Sequence, residues 1–574
     1  MYFNREKVQP PAGVVLPEYV PKGSELASIL FESERAKGAE AKIFNYIDPD
    51  IDGLTAGLIV EQYIEKLGLI NKHYKYYINQ NRAHGFKLTD EQLKLLKGYL
   101  LIVTDFTVER NDVLRILKAG INLIVIDHHE IDKDSYWKTN EDFLYLTYNG
   151  DGFKTGAVII NNQYSGEPDE FRFLSGAGMV YYFLKCLEKK YNVFMYNDTP
   201  AQVGITLLSD VRDIDNLYAR QFLKYTYTVD SPYMKYLQWL VSGEKKSNQR
   251  FSAFGVPLMT RDFIDFTFSP VINSLLRANL GQDALSLLRG RDDKKINEYR
   301  ENDRILVYRN IQKAVINATG EEQKRLTNVP SSLNKSFSNM KVCCLSSDFQ
   351  VKGYPNVNIS NYIGVACSRI KGDDNTGVIL VVDNTTNKII RGSVRGGIEG
   401  VDYLEIFKSN NIPSAGHHNA FGILECDISQ IDFEKLNTSI AEAEQKFLEE
   451  NIGNTRSVID ANHLGIFLKG HYIQLICKYN EYSRDNNRIY LRYTGNVEDE
   501  KRVKSEKVSD KFIRYFIDGV CVNCYDPSID IQDALILIGM DNNKYVRCTL
   551  RPSFDYSHQS NDVILEKLSS IASL

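Results

Sequence analysis

The chain has 574 residues, 43% of them hydrophobic and 25% charged, and a formal net charge of −5 at pH 7. This length exceeds what one hydrophobic core supports and predicts about three or four domains. The charge does not mark the whole chain as a nucleic-acid binder, and no apolar run approaches the length of a membrane span. Nine cysteines scattered without a disulfide framework predict reduced thiols and a cytoplasmic protein.

Strands and helices alternate in the first part of the chain, after an irregular lead and a short helical pattern at 25–37. Apolar runs typical of buried strands lie at 42–47, 73–78, 99–103 and 124–126. Amphipathic patterns typical of helices separate these runs at 54–67, 89–97 and 108–119. The alternation predicts a parallel, doubly wound α/β sheet.

The rest of the chain changes character twice. The middle is mostly helical, and a charged amphipathic stretch at 283–325 predicts one long helix between two domains. Beyond it, strands and a helix of a smaller α/β domain are predicted at 340–345, 377–382, 388–394 and 432–450. We therefore expect an N-terminal extension (1–41), a doubly wound α/β domain (42–280), a connecting helix and linker (281–338), a smaller α/β domain (339–455) and a β-rich C-terminal domain (456–574).

Acidic side chains follow the predicted strands at the points where the strands end. In a doubly wound sheet these ends meet at one edge, where ligands bind. Two carboxylates about 4 Å apart repel by roughly 1 kcal/mol in water and about 4 kcal/mol at an effective dielectric near 20. One or two divalent cations would remove that cost. The set comprises Asp48, Asp50, Asp52, Asp105, Asp127, His128, His129 and Asp210, the last ending a further apolar run that we count as a strand end.

Two simpler explanations do not account for this set. A single aspartate at a strand end is usually an N-cap for the next helix, but capping does not explain four such ends. The stretch from Asp48 to Gly53 begins like a calcium-binding EF-hand loop, yet the twelfth position, which needs Glu, is Ile59. Mixed carboxylate and imidazole ligands favour Mn²⁺ or Mg²⁺, and the imidazole shifts the preference toward Mn²⁺.

These residues carry a resemblance to a known family. Asp127-His128-His129 resembles the name-giving motif of the DHH phosphoesterase superfamily. Its first, second and fourth motifs are similar to the stretch Asp48 to Gly53, to Asp105 and to Asp210. Three further pieces resemble motifs of the RecJ-type exonuclease branch. They are Asn81-Arg82 with Gly85-Phe86, Leu174-Ser175-Gly176-Ala177-Gly178, and Pro270-Val271-Ile272-Asn273 with Arg277.

The smaller α/β domain resembles the DHHA1 domain that accompanies DHH domains. The resemblance lies in Gly364 to Arg369, Gly392 to Gly396 and Gly416-His417. Ala415 and Phe421 replace a Gly and an Ala of the family's Gly-Gly-His-x-x-Ala-Ala-Gly signature. Other RecJ-type enzymes carry an oligonucleotide-binding (OB) barrel at the C-terminal end, and the β-rich pattern after 456 is compatible with one.

The resemblance implies a metal-dependent phosphodiesterase. The activity expected from it is 5′-to-3′ hydrolysis of single-stranded DNA to mononucleotides in DNA repair and recombination, with Mn²⁺ preferred over Mg²⁺. It also implies a single-stranded nucleic acid as partner, DNA rather than RNA, and a single-strand-binding or replication protein beside it. No membrane partner is expected.

The resemblance also implies roles for individual residues. Asp105 would bridge two metal ions, Asp48 and Asp50 would serve the first ion, and Asp52, His128 and Asp210 the second. Asp127 would be a ligand or would orient His128 from behind, and His129 would contact phosphate or donate a proton. Substrate-binding roles fall to Arg82, Asn273, Arg277, Arg369, Ser393, Arg395, Gly416 and His417.

Two alternatives to the exonuclease stay open. One is a phosphodiesterase of the same core that acts on short oligonucleotides or cyclic dinucleotides. The other is an inactive DHH-fold scaffold in a replication or repair complex. Retention of every metal-binding acid argues against the scaffold, because a scaffold does not need these acids.

Overall fold

The structure is a computed structural model, and it describes residues 5–69, 74–79, 86–129, 145–150, 153–164, 166–241, 259–301, 304–324, 337–371, 375–383, 385–398, 400–450, 458–460, 490–496, 503–509, 512–517, 520–524, 545–555 and 560–571. Its contacts divide the chain into two compact units. The first unit holds Tyr19–Thr199 and Asp265–Gly453. The second unit holds Asn4–Glu18, Pro200–Ile264 and Asn454–Leu574. The five segments expected from the sequence stay a prediction.

A six-stranded sheet forms the centre of the first unit. Its strands are β1 (Ile43–Ile47), β2 (Tyr74–Ile78), β3 (Leu100–Thr104), β4 (Asn122–Asp127), β5 (Tyr145–Gly150) and β6 (Phe153–Asn161). They lie in the order β2-β1-β3-β4-β6-β5, and only the edge pair β5 and β6 is antiparallel. The predicted parallel α/β sheet is confirmed, and it contains two strands, β5 and β6, that were not predicted.

The helices of this part follow the predicted alternation. They are α1 (Ser24–Arg35), α2 (Ile51–Lys66), α3 (Asp90–Leu95), α4 (Arg110–Lys118) and α5 (Gly176–Tyr191). Every residue of β3 is buried, as expected for a parallel strand covered on both faces. Helix α2 is buried at every position from Ile51 to Ile64. The charged end of the sheet therefore lies on a rigid, close-packed base.

The helical middle of the chain differs from the prediction in two places. Its helices are α6 (Thr199–Ser209), α7 (Leu217–Thr228), α8 (Pro232–Val241), α9 (Ser269–Arg277), α10 (Gly281–Arg289), α11 (Asp293–Glu301) and α12 (Arg304–Lys324). The apolar run before Asp210 is helix α6, so the inference of a strand end there is wrong.

The single helix predicted at 283–325 is also wrong. Helix α10 ends at Gly290, which adopts the left-handed conformation with φ 68°. Asp292 then caps the next helix by accepting a hydrogen bond from the Lys295 amide at 3.0 Å. A left-handed glycine followed by a capping aspartate ends one helix and starts another, whatever the amphipathic pattern.

A second sheet in the first unit confirms the predicted smaller α/β fold. Its strands are β7 (Met340–Ser346), β8 (Thr376–Asp383), β9 (Lys388–Arg395), β10 (Ser414–His417), β11 (Ala420–Ile423) and β12 (Cys426–Asp427). The order is β10-β11-β9-β8-β7, with β12 paired to β9, and only β7 and β8 run parallel. Helices α13 (Ile363–Lys371), α14 (Tyr403–Ser409) and α15 (Phe433–Glu450) accompany it.

The second unit contains a separate seven-stranded sheet, which confirms the β-rich C-terminal part. Its strands are β13 (Val458–Asp460), β14 (Tyr490–Asn496), β15 (Val503–Ser509), β16 (Phe512–Ile517), β17 (Val520–Cys524), β18 (Tyr545–Asp555) and β19 (Ser560–Ile571). They lie in the order β13-β14-β18-β19-β17-β16-β15. An OB-like barrel stays a prediction. Across the described residues, no helix has the length and apolar character that crossing a membrane requires.

Candidate metal centre

The register of three neighbouring strands aligns the acidic strand ends. Ile47 of β1 pairs with Thr104 of β3, and Thr104 pairs in turn with Ile126 of β4. The residue after each of these three is an aspartate, so the register places Asp48, Asp105 and Asp127 side by side. All three aspartates are buried, and none is more than 3% exposed. Parallel pairing thus concentrates the charge at one edge, as expected from the sequence.

Asp105 is common to two groups of side chains that could each hold a metal ion. One group is Asp48, Asp50 and Asp105, and the other is Asp105, His128 and His129. Within each group, one ligand atom from every residue lies within 4.8 Å of the others. A carboxylate shared by two ligand groups has the arrangement that a bridging ligand needs.

The backbone of Asp105 is held in an uncommon conformation. Its φ of 69° lies in the left-handed region, which Asp tolerates better than most side chains. The Asp105 amide donates to the Ile126 carbonyl oxygen at 2.8 Å, which continues the ladder to β4. Gly176 packs so closely that an added Cβ would lie 2.4 Å from Asp105 Oδ1. The carboxylate is therefore confined between β4 and the start of α5.

Asp52 points at the N-terminus of helix α5. Its carboxylate accepts hydrogen bonds from the amides of Gly176 at 2.6 Å and Ala177 at 3.0 Å. A helix N-terminus stabilises a negative charge through its amides and its dipole. Burial, together with the nearby Asp50 charge, nevertheless raises the pKa of Asp52 above its ordinary value. The ionised form would gain further from a bound cation.

His128 lies between two of these carboxylates. Its Nε2 is 3.0 Å from Asp105 Oδ1 and 3.6 Å from Asp52 Oδ2, and the side chain is 1% exposed. A buried imidazole nitrogen surrounded by carboxylate oxygens is a donor set that suits Mn²⁺ or Mg²⁺ with an added nitrogen ligand. The chemistry of the site therefore fits a divalent cation.

Asp127 holds the ring of His129. Asp127 Oδ1 lies 2.7 Å from His129 Nδ1, and Oδ2 accepts a hydrogen bond from Thr107 Oγ1 at 2.7 Å. Asn161 Nδ2 donates to the same Oδ2 at 3.4 Å and to the His129 carbonyl oxygen at 3.0 Å. Burial opposes ionisation, but the nearby His129 and the hydrogen bond from Thr107 hold the pKa of Asp127 below its ordinary value. Asp127 is thus an ionised partner that orients His129.

Asp210, the remaining predicted ligand, directly follows helix α6 in the second unit. Its Oδ2 lies 3.9 Å from Arg212 Nε. The following residue, Val211, has φ 52°. The metal role of Asp210 stays a prediction.

Two of the predicted substrate-binding residues, Ser393 and Arg395, lie together on β9. Arg395 Nη1 donates to Ser393 Oγ at 3.1 Å and to the Val394 carbonyl oxygen at 2.7 Å. Gly364 makes room for the guanidinium, because a Cβ there would lie 2.8 Å from Arg395 Nη2. Arg369, by contrast, is exposed on helix α13.

The other predicted substrate residues are distributed along the first unit. Asn273 and Arg277 lie on α9, where Arg277 donates to Gln312 Oε1 at 2.7 Å. Gly416, with φ 140°, and His417 end strand β10. Arg82 lies outside the described residues. The substrate roles of all these residues stay predictions.

Four groups at the site were not singled out from the sequence. The side chains are Thr107 and Asn161, and the backbone donors are the amides of Gly176 and Ala177. A signal existed for Asn161, which ends the apolar run of β6 and pairs in register with Asp127. The glycine-containing helix start was recognised as a motif, but its contact with Asp52 depends on residues more than a hundred positions apart.

The strand ends, their acids and the helix start all lie in a part of the chain that has known relatives. Residues 42–208 match the model of the N-terminal domain of the DHH family. The chain therefore contains a region of less than a third of its length that matches the DHH family. The resemblance inferred from the sequence is thereby confirmed.

A curated relative of the chain carries a name that states an activity. A protein of Bacillus subtilis strain 168, named putative SPbeta prophage-derived single-strand DNA-specific exonuclease YorK, is 24% identical over 412 residues. The alignment covers 66% of this chain and 62% of the relative, so it spans less than two thirds of that protein's length.

Solved structures share the fold of this chain. RecJ from Thermus thermophilus in complex with Mn²⁺ superposes with a TM-score of 0.65 at 16% identity, covering 98% of this chain and 73% of RecJ. The Mg²⁺ complex of the same enzyme gives a TM-score of 0.60 at 14% identity, covering 97% and 72%. These likenesses establish the fold.

Proposed function

We propose that this protein is a metal-dependent phosphodiesterase that removes mononucleotides from the 5′ end of single-stranded DNA. The observation that carries the proposal is the pair of ligand groups that share Asp105 at the carboxyl edge of the parallel sheet. The name of the Bacillus subtilis relative, a putative single-strand DNA-specific exonuclease, supports the choice of substrate. The 5′-to-3′ direction rests on the family resemblance alone.

The residues that would hold two divalent cations are taken from these ligand groups and from Asp52, which lies beside His128, while His129 is reserved for proton transfer. Asp48 and Asp50 would bind one ion, Asp52 and His128 the other, and Asp105 both, with Asp210 as the further ligand expected from the sequence. Two such ions, when bound, supply a nucleophilic water at neutral pH and neutralise the phosphodiester charge. Mn²⁺ is the preferred ion in this proposal, because one ligand is an imidazole.

His129 is the candidate for proton transfer. Its Nδ1 pairs with Asp127, which stabilises the protonated ring and places Nε2 on the opposite side. In the proposed reaction, His129 gives a proton to the 3′ oxygen of the departing nucleotide. The new phosphate then remains on the 5′ end of the shortened strand.

The part of the chain around β9 is proposed to bind the strand. The Arg395 guanidinium is half-buried and supported by Ser393, so its orientation is restricted before substrate arrives. A guanidinium matches phosphate oxygens in two parallel hydrogen bonds. Asn273, Arg277, Arg369, Gly416 and His417 are proposed as further contacts.

The direct test uses end-labelled substrates. The protein would be incubated with 5′-labelled and 3′-labelled single strands of DNA and RNA, with duplex, and with linear and cyclic dinucleotides, in Mn²⁺ and in Mg²⁺. Early release of labelled mononucleotide from the 5′ end of DNA is the expected result. Cleavage of dinucleotides alone would instead establish the short-substrate enzyme, and no cleavage in either metal would favour the scaffold.

A variant pair separates catalysis from folding. Asp105→Ala should abolish cleavage while strand binding remains, because Asp105 serves the cations and not the strand. Asp169→Ala is the matched control, since this carboxylate is 90% exposed and pairs only with Arg172 among its described salt bridges. Equal loss of cleavage and strand binding in Asp105→Ala would contradict the purely catalytic role.

A further inference from the structure

We propose that Tyr403 is a positioning residue for strand binding. Residues 396–398, called here the arginine loop, directly follow Arg395, and residues 417–420, called here the histidine turn, contain His417. Tyr403, at the start of α14, bonds to the arginine loop, and its neighbours Asp402 and Leu404 bond to the histidine turn. The inference rests on the proposed function, because it assigns Tyr403 to the support of the two predicted phosphate contacts.

The Tyr403 hydroxyl joins the arginine loop to helix α15. It accepts a hydrogen bond from the Ile398 amide at 2.8 Å and donates one to Glu444 Oε1 at 2.6 Å. Glu444 Oε2 accepts a further bond from Asn339 Nδ2 at 2.7 Å. Tyr403 is fully buried and Glu444 is 3% exposed, so these bonds are shielded from water.

The Tyr403 ring packs against the same loop at Gly396. A Cβ added to Gly396 would lie 2.4 Å from ring carbons Cδ2 and Cε2 and 2.6 Å from Asn419 Oδ1. The Gly396 amide donates to the Asn419 carbonyl oxygen at 2.8 Å, and its carbonyl oxygen accepts from Lys371 Nζ at 3.0 Å. The arginine loop is therefore held between the ring and the histidine turn.

The histidine turn is held by the neighbouring residues of α14. The Leu404 amide donates to the His418 carbonyl oxygen at 3.1 Å, and Asp402 Oδ2 lies 2.8 Å from His418 Nδ1. Since Asp402, Tyr403 and Leu404 are consecutive, one helix start contacts both segments. Moving this helix start would shift the backbone on both sides of the phosphate contacts together.

The Tyr403 hydroxyl is absent from every metal-ligand group described above, so its loss should affect strand binding more than the chemical step. Tyr403→Phe keeps the ring but leaves the Ile398 amide and a Glu444 oxygen without this partner, which loosens the arginine loop. We expect KM for a single strand to rise about tenfold, while kcat stays within about twofold of wild type.

The matched control is Tyr19→Phe. Tyr19 also donates from a buried hydroxyl to a buried glutamate, Glu167 Oε2 at 2.7 Å, but it lies before α1. Both variants therefore lose one tyrosine–glutamate hydrogen bond. Glu444→Gln is the conservative variant, because its side-chain oxygen can still accept from Tyr403 once the Asn339 amide flips. It should retain strand affinity within about threefold.

The experiment measures strand binding and local order as well as turnover. The four proteins would be compared for the Kd of a labelled oligothymidylate in EDTA, for KM and kcat in Mn²⁺, and for amide hydrogen exchange of residues 396–398. Weaker binding and faster exchange in Tyr403→Phe alone support the proposal. Wild-type Kd and exchange in Tyr403→Phe, an equal loss of affinity in Tyr19→Phe, or an equal loss in Glu444→Gln would overturn it.

The two proposals fail in distinguishable ways. Wild-type protein that binds the oligothymidylate in EDTA without cleaving it in Mn²⁺ contradicts the exonuclease activity, while the binding and exchange data still decide the role of Tyr403. Wild-type protein that binds no strand contradicts both.

Discussion

The contact between Gly176 and Asp105 allows one substitution to be worked through in detail. In Gly176→Ala, the new Cβ would lie 2.4 Å from Asp105 Oδ1 and 2.7 Å from Asp105 Cγ. Ordinary contacts begin near 3.4 Å. The start of α5 and the carboxylate must therefore separate by about 1 Å, since close-packed interiors do not absorb such an overlap.

This displacement affects the candidate metal centre through two paths. It moves Asp105 itself, and it moves the Gly176 and Ala177 amides that hold Asp52. Misplacement of about 1 Å in a catalytic constellation can cost roughly a hundredfold in rate. Overpacking also destabilises by about 1–3 kcal/mol. We expect kcat/KM to fall about a hundredfold, Mn²⁺ binding to weaken, and the free energy of unfolding to decrease by that amount.

The assay combines calorimetric Mn²⁺ titration, single-strand hydrolysis and urea unfolding, with Gly320→Ala as control. Gly320 lies in helix α12, and a Cβ there meets nothing within 4 Å. The control should be stabilised by about 0.4–1 kcal/mol, because alanine restricts the unfolded chain, and should keep wild-type activity. Mn²⁺ affinity and activity within twofold of wild type in Gly176→Ala would refute the reasoning.

Three further predictions concern the candidate metal centre and helix α10. Asp105→Asn should abolish hydrolysis and weaken Mn²⁺ binding at least tenfold. In EDTA the melting temperature of this variant should not fall, because one buried negative charge is removed and Asn accepts the left-handed backbone. A melting temperature below that of wild type would contradict this. Asn161→Ala should lower kcat about tenfold while Mn²⁺ affinity is retained, because Asn161 holds Asp127 and the His129 backbone. Calorimetric Mn²⁺ titration and steady-state kinetics measure the two quantities separately, and an unchanged kcat would contradict the prediction. Gly290→Ala should lower the free energy of unfolding by about 1–2 kcal/mol, because φ is 68° at this position. Urea unfolding measures this change, and a variant as stable as wild type would contradict the prediction.

Much of the candidate site could be predicted because its residues obey local rules. Apolar runs such as 99–103 identify buried parallel strands, and Asp105 and Asp127 follow them in the chain. Parallel topology then requires these ends to meet at one edge. The same reasoning failed for Asp210, because a short apolar run does not distinguish a buried strand from a buried helix.

The sequence by itself determined which residue types stand at the strand ends, the alternation that builds the parallel sheet, and the match to the DHH family. The tertiary structure alone decided which partners those residues have. Asp52 faces the amides of Gly176 and Ala177, and Asp127 holds His129 with help from Thr107 and Asn161. Hydrogen bonds between residues so distant in the chain depend on packing and register, which leave no local periodicity for a sequence to display.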